Sequence, residues 1–278
     1  MPMEPETIAR DIATLRKVAE GREAEMFEWE DGKLLRLLRD GYGAGGLERE
    51  ALGLEAARQS GVRVPDVFSQ ITVAGRHGMI VERLEGVDLL TAVGKQPWQV
   101  FRVGYITGSV HAAINKAAAP PELPALKDRL RDRIRQAGMP ERLSLFALQR
   151  LDALAAGDRL CHGDFHPGNI MEHRGKVAVI DWTNATRGDP DADYARTRLM
   201  MRLGSLPPGT SVALRVMGLL GRSLLGVLYD RSYRRARRVD MRVVRAWDVP
   251  VMAARLAEGI EEERSALLKR LEREAASA

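Results

Sequence analysis

The sequence predicts an α+β fold in which strands crowd the first third of the chain and helices fill the rest. Two hairpin signals and a change of period carry this reading. Gly21 to Trp29 alternates towards its end, turns at Asp31-Gly32 and continues as Lys33 to Leu38. Ile71 to Val73, a turn at Gly75 and Met79 to Glu82 give a second hairpin. From Val87 onward the pattern is helical, with Val103, Ile106, Val110 and Ile114 at core spacing in a helix from Gln99 to Lys116. With 278 residues, 45% of them hydrophobic, the chain can bury a full core as one large domain or two lobes.

The remaining elements follow in order. Glu6 to Ala19 reads as a lead-in, helix or strand. Gly41-Tyr42-Gly43-Ala44-Gly45-Gly46 joins a strand to a helix over 47–60. It satisfies Gly-x-Gly-x-x-Gly, with Asp66 downstream, so a dinucleotide site competes here with a flexible turn. Gly61 to Val67 leaves that helix for a strand. Pro120, Pro121 and Pro124 break the chain before helices at 125–137 and 141–156. Tyr194 to Leu203 reads as a helix, Pro207-Pro208-Gly209 as a break, and Ser211 to Tyr229 as a helix. The run Arg231-Ser232-Tyr233-Arg234-Arg235-Ala236-Arg237-Arg238 follows, and a last helix spans 249–276 with Glu258, Glu261, Glu262 and Glu263.

Composition removes several classes. The one cysteine, Cys161, excludes an intrachain disulfide and fits a reducing cytosol. Met1 to Glu6 lacks a basic start and an apolar core, and the best membrane-span candidate, Val212 to Leu228, is interrupted by Arg215 and Arg222. A cytoplasmic protein with no membrane partner is expected. The net charge of +5 is modest, and the arginines at 231–245 read first as a solvated helix face. Nucleic acid is not an expected partner, because no aromatic or groove-reading pattern accompanies them.

The chemistry concentrates in Cys161-His162-Gly163-Asp164-Phe165-His166-Pro167-Gly168-Asn169-Ile170-Met171, followed by Val177-Ala178-Val179-Ile180-Asp181-Trp182. One loop and the end of the next strand deliver two acids and an amide. Phosphoryl transfer from a nucleotide needs such a set: a carboxylate to take the hydroxyl's proton, here Asp164, and hard-oxygen ligands for Mg²⁺, here Asn169 and Asp181. Cys161, His162, Asp164 and His166 could also be read as zinc ligands, but Gly163, Pro167 and Gly168 oppose the helix that would put both histidines on one face.

The same stretch resembles the aminoglycoside phosphotransferase and choline kinase superfamily, whose pattern is His-Gly-Asp, one residue, His, two residues, Asn, then a strand ending Ile-Asp-Trp. The resemblance implies a bilobal protein-kinase-like fold, with a β-rich N-lobe over 1–85 and a helical C-lobe over 86–278. It implies Mg²⁺-assisted transfer of the γ-phosphate of ATP or GTP to a hydroxyl of a small molecule. The loop around Gly21 would cover the nucleotide. Arg36 stands where the family carries a phosphate-holding lysine, with Lys33 the candidate should the register slip. Glu50 would pair with that base, in competition with Glu48 and Glu55. Glu82 and Leu84, in the hinge 82–86, would meet the base through their backbone. His162 would brace the loop, and His166 would touch Asp181 or the transferring phosphate. Asp189 and Asp193 follow the family's Gly-Asp/Glu-Pro-x-x-Asp pattern as loop-bracing or capping residues, with Asp189 also a candidate substrate contact. The 231–245 arginines argue against a polycationic acceptor and for an anionic or neutral one, although Glu258 to Glu263 could form an acidic rim. Two other readings stay open: a catalytically weak or inactive nucleotide-binding pseudokinase, and a nucleic-acid-associated protein held by those arginines.

Overall fold

Alternation and turn residues lay down the first sheet. The structure, a computed structural model, describes residues 6–8, 11–21, 23–203 and 212–277. Strands β1 (Glu6–Ile8), β2 (Lys17–Glu20), β3 (Ala24–Glu28), β4 (Lys33–Leu38), β5 (Val67–Val73) and β6 (Arg76–Glu82) form one sheet in the order β1-β5-β6-β4-β3-β2. All pairings are antiparallel except β1 on β5. The lead-in therefore supplies two short strands around a 3₁₀ turn, Ile12–Thr14. Because side chains alternate across a strand, Leu35 and Leu37 join the core with Phe27, Ile71 and Ile80 on one face. Arg36 between them is directed to the other face, where α1 (Gly45–Gln59) packs. β4 pairs only with antiparallel β3 and β6, so the glycine loop at 41–46 does not open a parallel βαβ unit and the dinucleotide reading fails.

Beyond the sheet come α2 (Leu89–Lys95), α3 (Val100–Ile114), α4 (Leu126–Gln136) and α5 (Glu141–Asp152). Short strands β7 (Arg159–Cys161), β8 (Ile170–His173), β9 (Lys176–Val179) and β10 (Thr186–Gly188) frame the loop that carries Asp164: β8 pairs with β9, and β10 with β7. Then follow α6 (Pro190–Leu203), α7 (Val212–Ala236), α8 (Met241–Ala246), α9 (Asp248–Arg255) and α10 (Glu261–Ala276). A sheet-rich first part and a helical second part are thus both present. The expected break at Pro207-Gly209 lies outside the described residues. Two expectations change. α7 runs on to Ala236, so most of the arginine run is helical. The last helix is not continuous: α9 ends in a 3₁₀ turn, Leu256–Glu258, and Gly259 at φ 69° reverses the chain before α10, because glycine adopts this left-handed conformation without strain.

Two apolar clusters meet around the loop. One joins α1, β6, α3 and Trp182; the other gathers α4, α5, α6, α9 and α10 around Tyr194, Tyr229, Tyr233 and Trp247. α3 lies against α7 so closely that a Cβ on Gly108 would stand 2.5 Å from the Tyr229 carbonyl oxygen and 2.7 Å from the Tyr233 nitrogen. Among the described residues no helix is long and apolar enough to cross a membrane.

Gly108→Ala should lower stability by about 1–3 kcal/mol in urea unfolding, because overpacking against backbone outweighs the helix-propensity gain of about 1 kcal/mol. Gly94→Ala in α2, where a Cβ meets nothing within 4 Å, should be neutral or stabilising. A stabilised Gly108→Ala would show that the helices are not in close contact.

Candidate active site

The loop between β7 and β8 is shaped by its neighbours. Gly163 sits at φ 78°, and a Cβ there would fall 2.3 Å from the Asn184 carbonyl oxygen, so no side chain fits. Asp193, buried on the first turn of α6, accepts from the backbone N–H groups of His162 at 2.8 Å and Gly163 at 2.9 Å. Asn115 Nδ2 and His111 Nε2 on α3 each donate to it at 3.0 Å. Burial pushes the Asp193 carboxyl up, but the His111 charge and the hydrogen bonds from His111 and Asn115 outweigh it and hold the group well below the usual carboxylate range. His111 is therefore a buried packing and hydrogen-bonding residue, stacked on Phe165 with ring centroids 4.3 Å apart. Thr197 Oγ1, one position beyond the next turn of α6, donates to the Phe165 carbonyl at 2.9 Å.

His162 is fully buried, and burial lowers its pKa against the opposing charge of Asp193. Its Nε2 donates to the Ile180 carbonyl at 3.1 Å and its Nδ1 accepts from the Asp164 N–H at 3.3 Å, which fixes a neutral tautomer that ties the loop to the strand end. His166 Nδ1 accepts from the Gly168 N–H at 3.1 Å, and its Nε2 stands 4.0 Å from Asp164 Oδ2. Asn169 Nδ2 donates to the Asp164 backbone carbonyl at 2.9 Å, and the Asn169 carbonyl accepts from Ile180 N at 3.0 Å. Asp181 follows at φ 61°, a left-handed conformation that Asp tolerates better than most residues. Its Oδ1 accepts from Thr183 Oγ1 at 2.6 Å. The zinc reading does not survive this geometry: His162 and Cys161 are turned into the core, and the described residues contain no cluster of three or more His, Cys, Asp or Glu able to hold a metal.

The structure also shows what sequence inspection passed over. Arg196, buried on α6, donates through Nε to the Gly163 carbonyl and through Nη2 to Asp164 Oδ1 at 3.1 Å. The same Nη2 lies 2.7 Å from Glu258 Oε1. Burial raises the Asp164 pKa, but the charge of Arg196 and the hydrogen bond that it donates hold the carboxyl below the usual range. The legible signal was the spacing Asp193, Arg196, Thr197, three and four residues apart on one helix face. Glu258 and Glu263 do not form a free acidic rim: Arg255 binds both, at 2.5 and 2.9 Å. Asp189 is held by Asp191 N at 2.8 Å and Trp247 Nε1 at 3.2 Å, a bracing position.

On the sheet side, Arg36 Nε and Glu50 Oε2 lie 2.8 Å apart, both largely enclosed. Glu48 is exposed and Glu55 bonds Gln59, while Lys33 pairs with Glu30 at 2.8 Å, so Glu50 and Arg36 are the ones brought together. Burial pushes the Glu50 carboxyl up to about 7, more than Arg36 can offset, with Asp181 adding repulsion. Gly21 lies in the β2–β3 turn, its N–H on the Ala24 carbonyl at 2.8 Å. The Glu82 carboxylate is held by Arg63 at 2.5 and 2.6 Å, and its N–H by the Asp66 carbonyl at 2.8 Å. Among the described residues, neither backbone group of Leu84 has a partner.

The model of the phosphotransferase enzyme family matches residues 14–223. The chain belongs to this family. Solved structures agree on the fold. A thermostable mutant of aminoglycoside phosphotransferase APH(4)-Ia superposes with a TM-score of 0.62 at 19% identity, covering 95% of this chain and 94% of that one. Amicoumacin kinase hAmiN, in complex with AMP-PNP, Ca²⁺ and Ami, gives 0.62 at 16%, covering 96% and 89%. A choline/ethanolamine kinase family protein from Mesorhizobium loti gives 0.59 at 13%, covering 95% and 87%. No curated protein matches the sequence. The family assignment thus confirms the resemblance, and the bilobal kinase-like fold with it.

A carboxyl whose folded pKa is raised costs stability above its unfolded pKa, near 4.3, and the cost grows until the folded pKa is passed. Glu50→Gln should therefore become progressively more stable relative to the parent protein between about pH 4.5 and 7 in urea melts. A difference independent of pH would place Glu50 in a solvated environment.

Proposed function

We propose that the chain transfers the γ-phosphoryl group of ATP or GTP to a hydroxyl of a small molecule, in the cleft between the sheet and the helical part, with Mg²⁺ as cofactor. The observation that carries this reading is the loop itself, in which Asn169 is tied to the Asp164 backbone and to Ile180, next to Asp181. Asp164 is the proposed base: Arg196 holds Oδ1, and Oδ2 is left to orient the acceptor hydroxyl and receive its proton. The acceptor oxygen bonds to the γ-phosphorus as the bond to the β,γ-bridging oxygen breaks, and the nucleoside diphosphate leaves with that electron pair. His166 is proposed to stand beside the transferring group. Arg36, oriented by Glu50, would grip the α- and β-phosphates. Gly21 would let the β2–β3 turn cover them, and the base would lie against the backbone at Glu82 and Leu84. The lobes are proposed to divide near residue 85.

Asn169 and Asp181 fit Mg²⁺. Both offer hard oxygens, and Asn169 Nδ2 is engaged so that Oδ1 is free of the loop. Two protein ligands suit an ion that keeps waters and binds phosphate oxygens. When bound, Mg²⁺ would neutralise charge on the phosphates. The structural relatives were captured with nucleotides and small molecules, which supports the substrate class without naming this chain's acceptor. Two features favour the weak or inactive nucleotide-binding reading: Arg36 in place of a phosphate-holding lysine, and the arginine on Asp164.

Asp164→Asn should reduce phosphate transfer by at least about a hundredfold while nucleotide affinity stays within about twofold. Retained turnover would remove Asp164 from the role of base. If instead the parent protein binds nucleotide yet transfers to no alcohol, the inactive reading holds. In Asp181→Ala, binding of ATP should lose its dependence on Mg²⁺ in calorimetric titration. A titration matching the parent protein would mean that the metal is held elsewhere.

A further inference from the structure

Four arginines gather beside the loop that carries Asp164. Arg129 and Arg133 on α4 and Arg196 on α6 line one narrow cavity with Gly163 and Asn184. Arg49 reaches the same region from α1, donating to the Thr183 carbonyl at 3.0 Å. Arg133 donates to Asn184 Oδ1 at 2.5 Å.

Negative charge here is largely committed: Asp193, which also lines the cavity, is filled by its four donors, and Glu23 attracts Arg49 from outside the cavity. Asp164 is bound by Arg196. Glu258 is shared by Arg196 at 2.7 Å, Arg255 at 2.5 Å and, more distantly, Arg133 at 3.9 Å. Among the described residues, Arg129 and Arg49 enter no ion pair. The excess of positive charge registers on the groups themselves. Burial, then repulsion from Arg196, brings Arg133 down to about 10, and burial, then repulsion from Arg129, lowers Arg49. An arginine in such a field gains when an anion arrives, and its planar fork matches a carboxylate or phosphate through two parallel hydrogen bonds. A cationic acceptor would meet repulsion on the same wall.

We propose that the acceptor carries an anionic group, a carboxylate or a phosphate, near its reacting hydroxyl, and that Arg133 and Arg129 bind that group while the hydroxyl meets Asp164 Oδ2. The inference rests on the transfer reading above and narrows it to hydroxy acids or phosphorylated alcohols. It also relocates the basic determinant of substrate choice, from the 231–245 arginines to the wall beside the loop.

Thermal melting of the full chain tests this with four probes of one carbon skeleton at matched ionic strength: glycerate, glycerol 3-phosphate, glycerol and 3-aminopropane-1,2-diol. Mg²⁺ and AMP-PNP are kept saturating, so that the nucleotide's own phosphate site is filled. Glycerate, glycerol 3-phosphate or both should raise the melting temperature by mass action, and the neutral and cationic diols should not. Which anion acts separates carboxylate from phosphate. Arg133→Gln should raise the half-saturating concentration of the active anion about tenfold, and Arg133→Lys should restore part of it. Arg129→Gln provides the same readout should Arg133→Gln fail to fold. A shift from the aminodiol or glycerol equal to that of the anions, an anion shift unchanged in both glutamine variants, or no anion shift up to about 100 mM would overturn the proposal. If Mg²⁺ and AMP-PNP alone fail to stabilise the protein, the transfer reading falls, and the anion arms still report on the wall.

Discussion

The carboxylate of Asp193 is the constraint on which the candidate site depends. It is a buried charge, and a buried charge is tolerated only when its lone pairs are filled. Four donors fill them: two backbone N–H groups of the loop, one asparagine and one histidine. That arrangement couples three elements that are distant in sequence. α3 contributes His111 and Asn115, α6 the carboxylate, and the β7–β8 loop the backbone. Residues 162 and 163 can turn only as the carboxylate dictates, and Gly163 makes the turn possible because any side chain would strike Asn184. Asp164 is therefore aimed by a contact that it does not itself make.

The next turn of α6 extends the same logic to side chains. Arg196 reads the loop twice, at the Gly163 carbonyl and at Asp164, and Thr197 reads it once more at Phe165. Arg196 is in turn compensated by Glu258, which Arg255 shares. Its enclosure would be unfavourable without these carboxylates, and the attractions of Glu258 and Asp164 outweigh burial and raise its pKa. The turn that ends α9 thus takes part in the site, because Glu258, the last residue of that turn before Gly259, meets Arg196.

Much of this was legible in the sequence, for reasons that differ by residue. The hairpins were visible because alternation and Asp-Gly turns are local. Asp164, Asn169 and Asp181 stood out because their chemistry is packed into one short stretch. The Arg36–Glu50 contact was legible only through the family resemblance, since nothing within either segment specifies the other. Arg196 was hidden among the other charged residues of α6, and its burial is what marks it. The acidic rim fails because Arg255 serves both Glu258, three residues on, and Glu263, which only the helix break at Gly259 brings back to it. Composition also drew the eye to the 231–238 run, whereas the arginines beside Asp164 are scattered over α1, α4 and α6 and assemble only in three dimensions.

An arginine on a proposed general base looks self-defeating, because it lowers the basicity of the carboxylate. The objection weakens once the reaction class is considered. In phosphoryl transfer the transition state is loose and little proton has moved when the phosphorus–oxygen bond breaks, so the carboxylate contributes chiefly by holding the hydroxyl in line. Holding depends on which oxygen is free and how rigidly the other is fixed. Arg196 fixes Oδ1 from a buried, doubly compensated position, and Oδ2 would be the oxygen that meets the proposed acceptor. Arg129 and Arg133, which line a cavity with Arg196, are the groups that the proposed anionic acceptor would meet and a cationic one would be repelled by. On the proposed reading, a group that weakens the base would still serve by orienting it, and that effect acts before any proton moves.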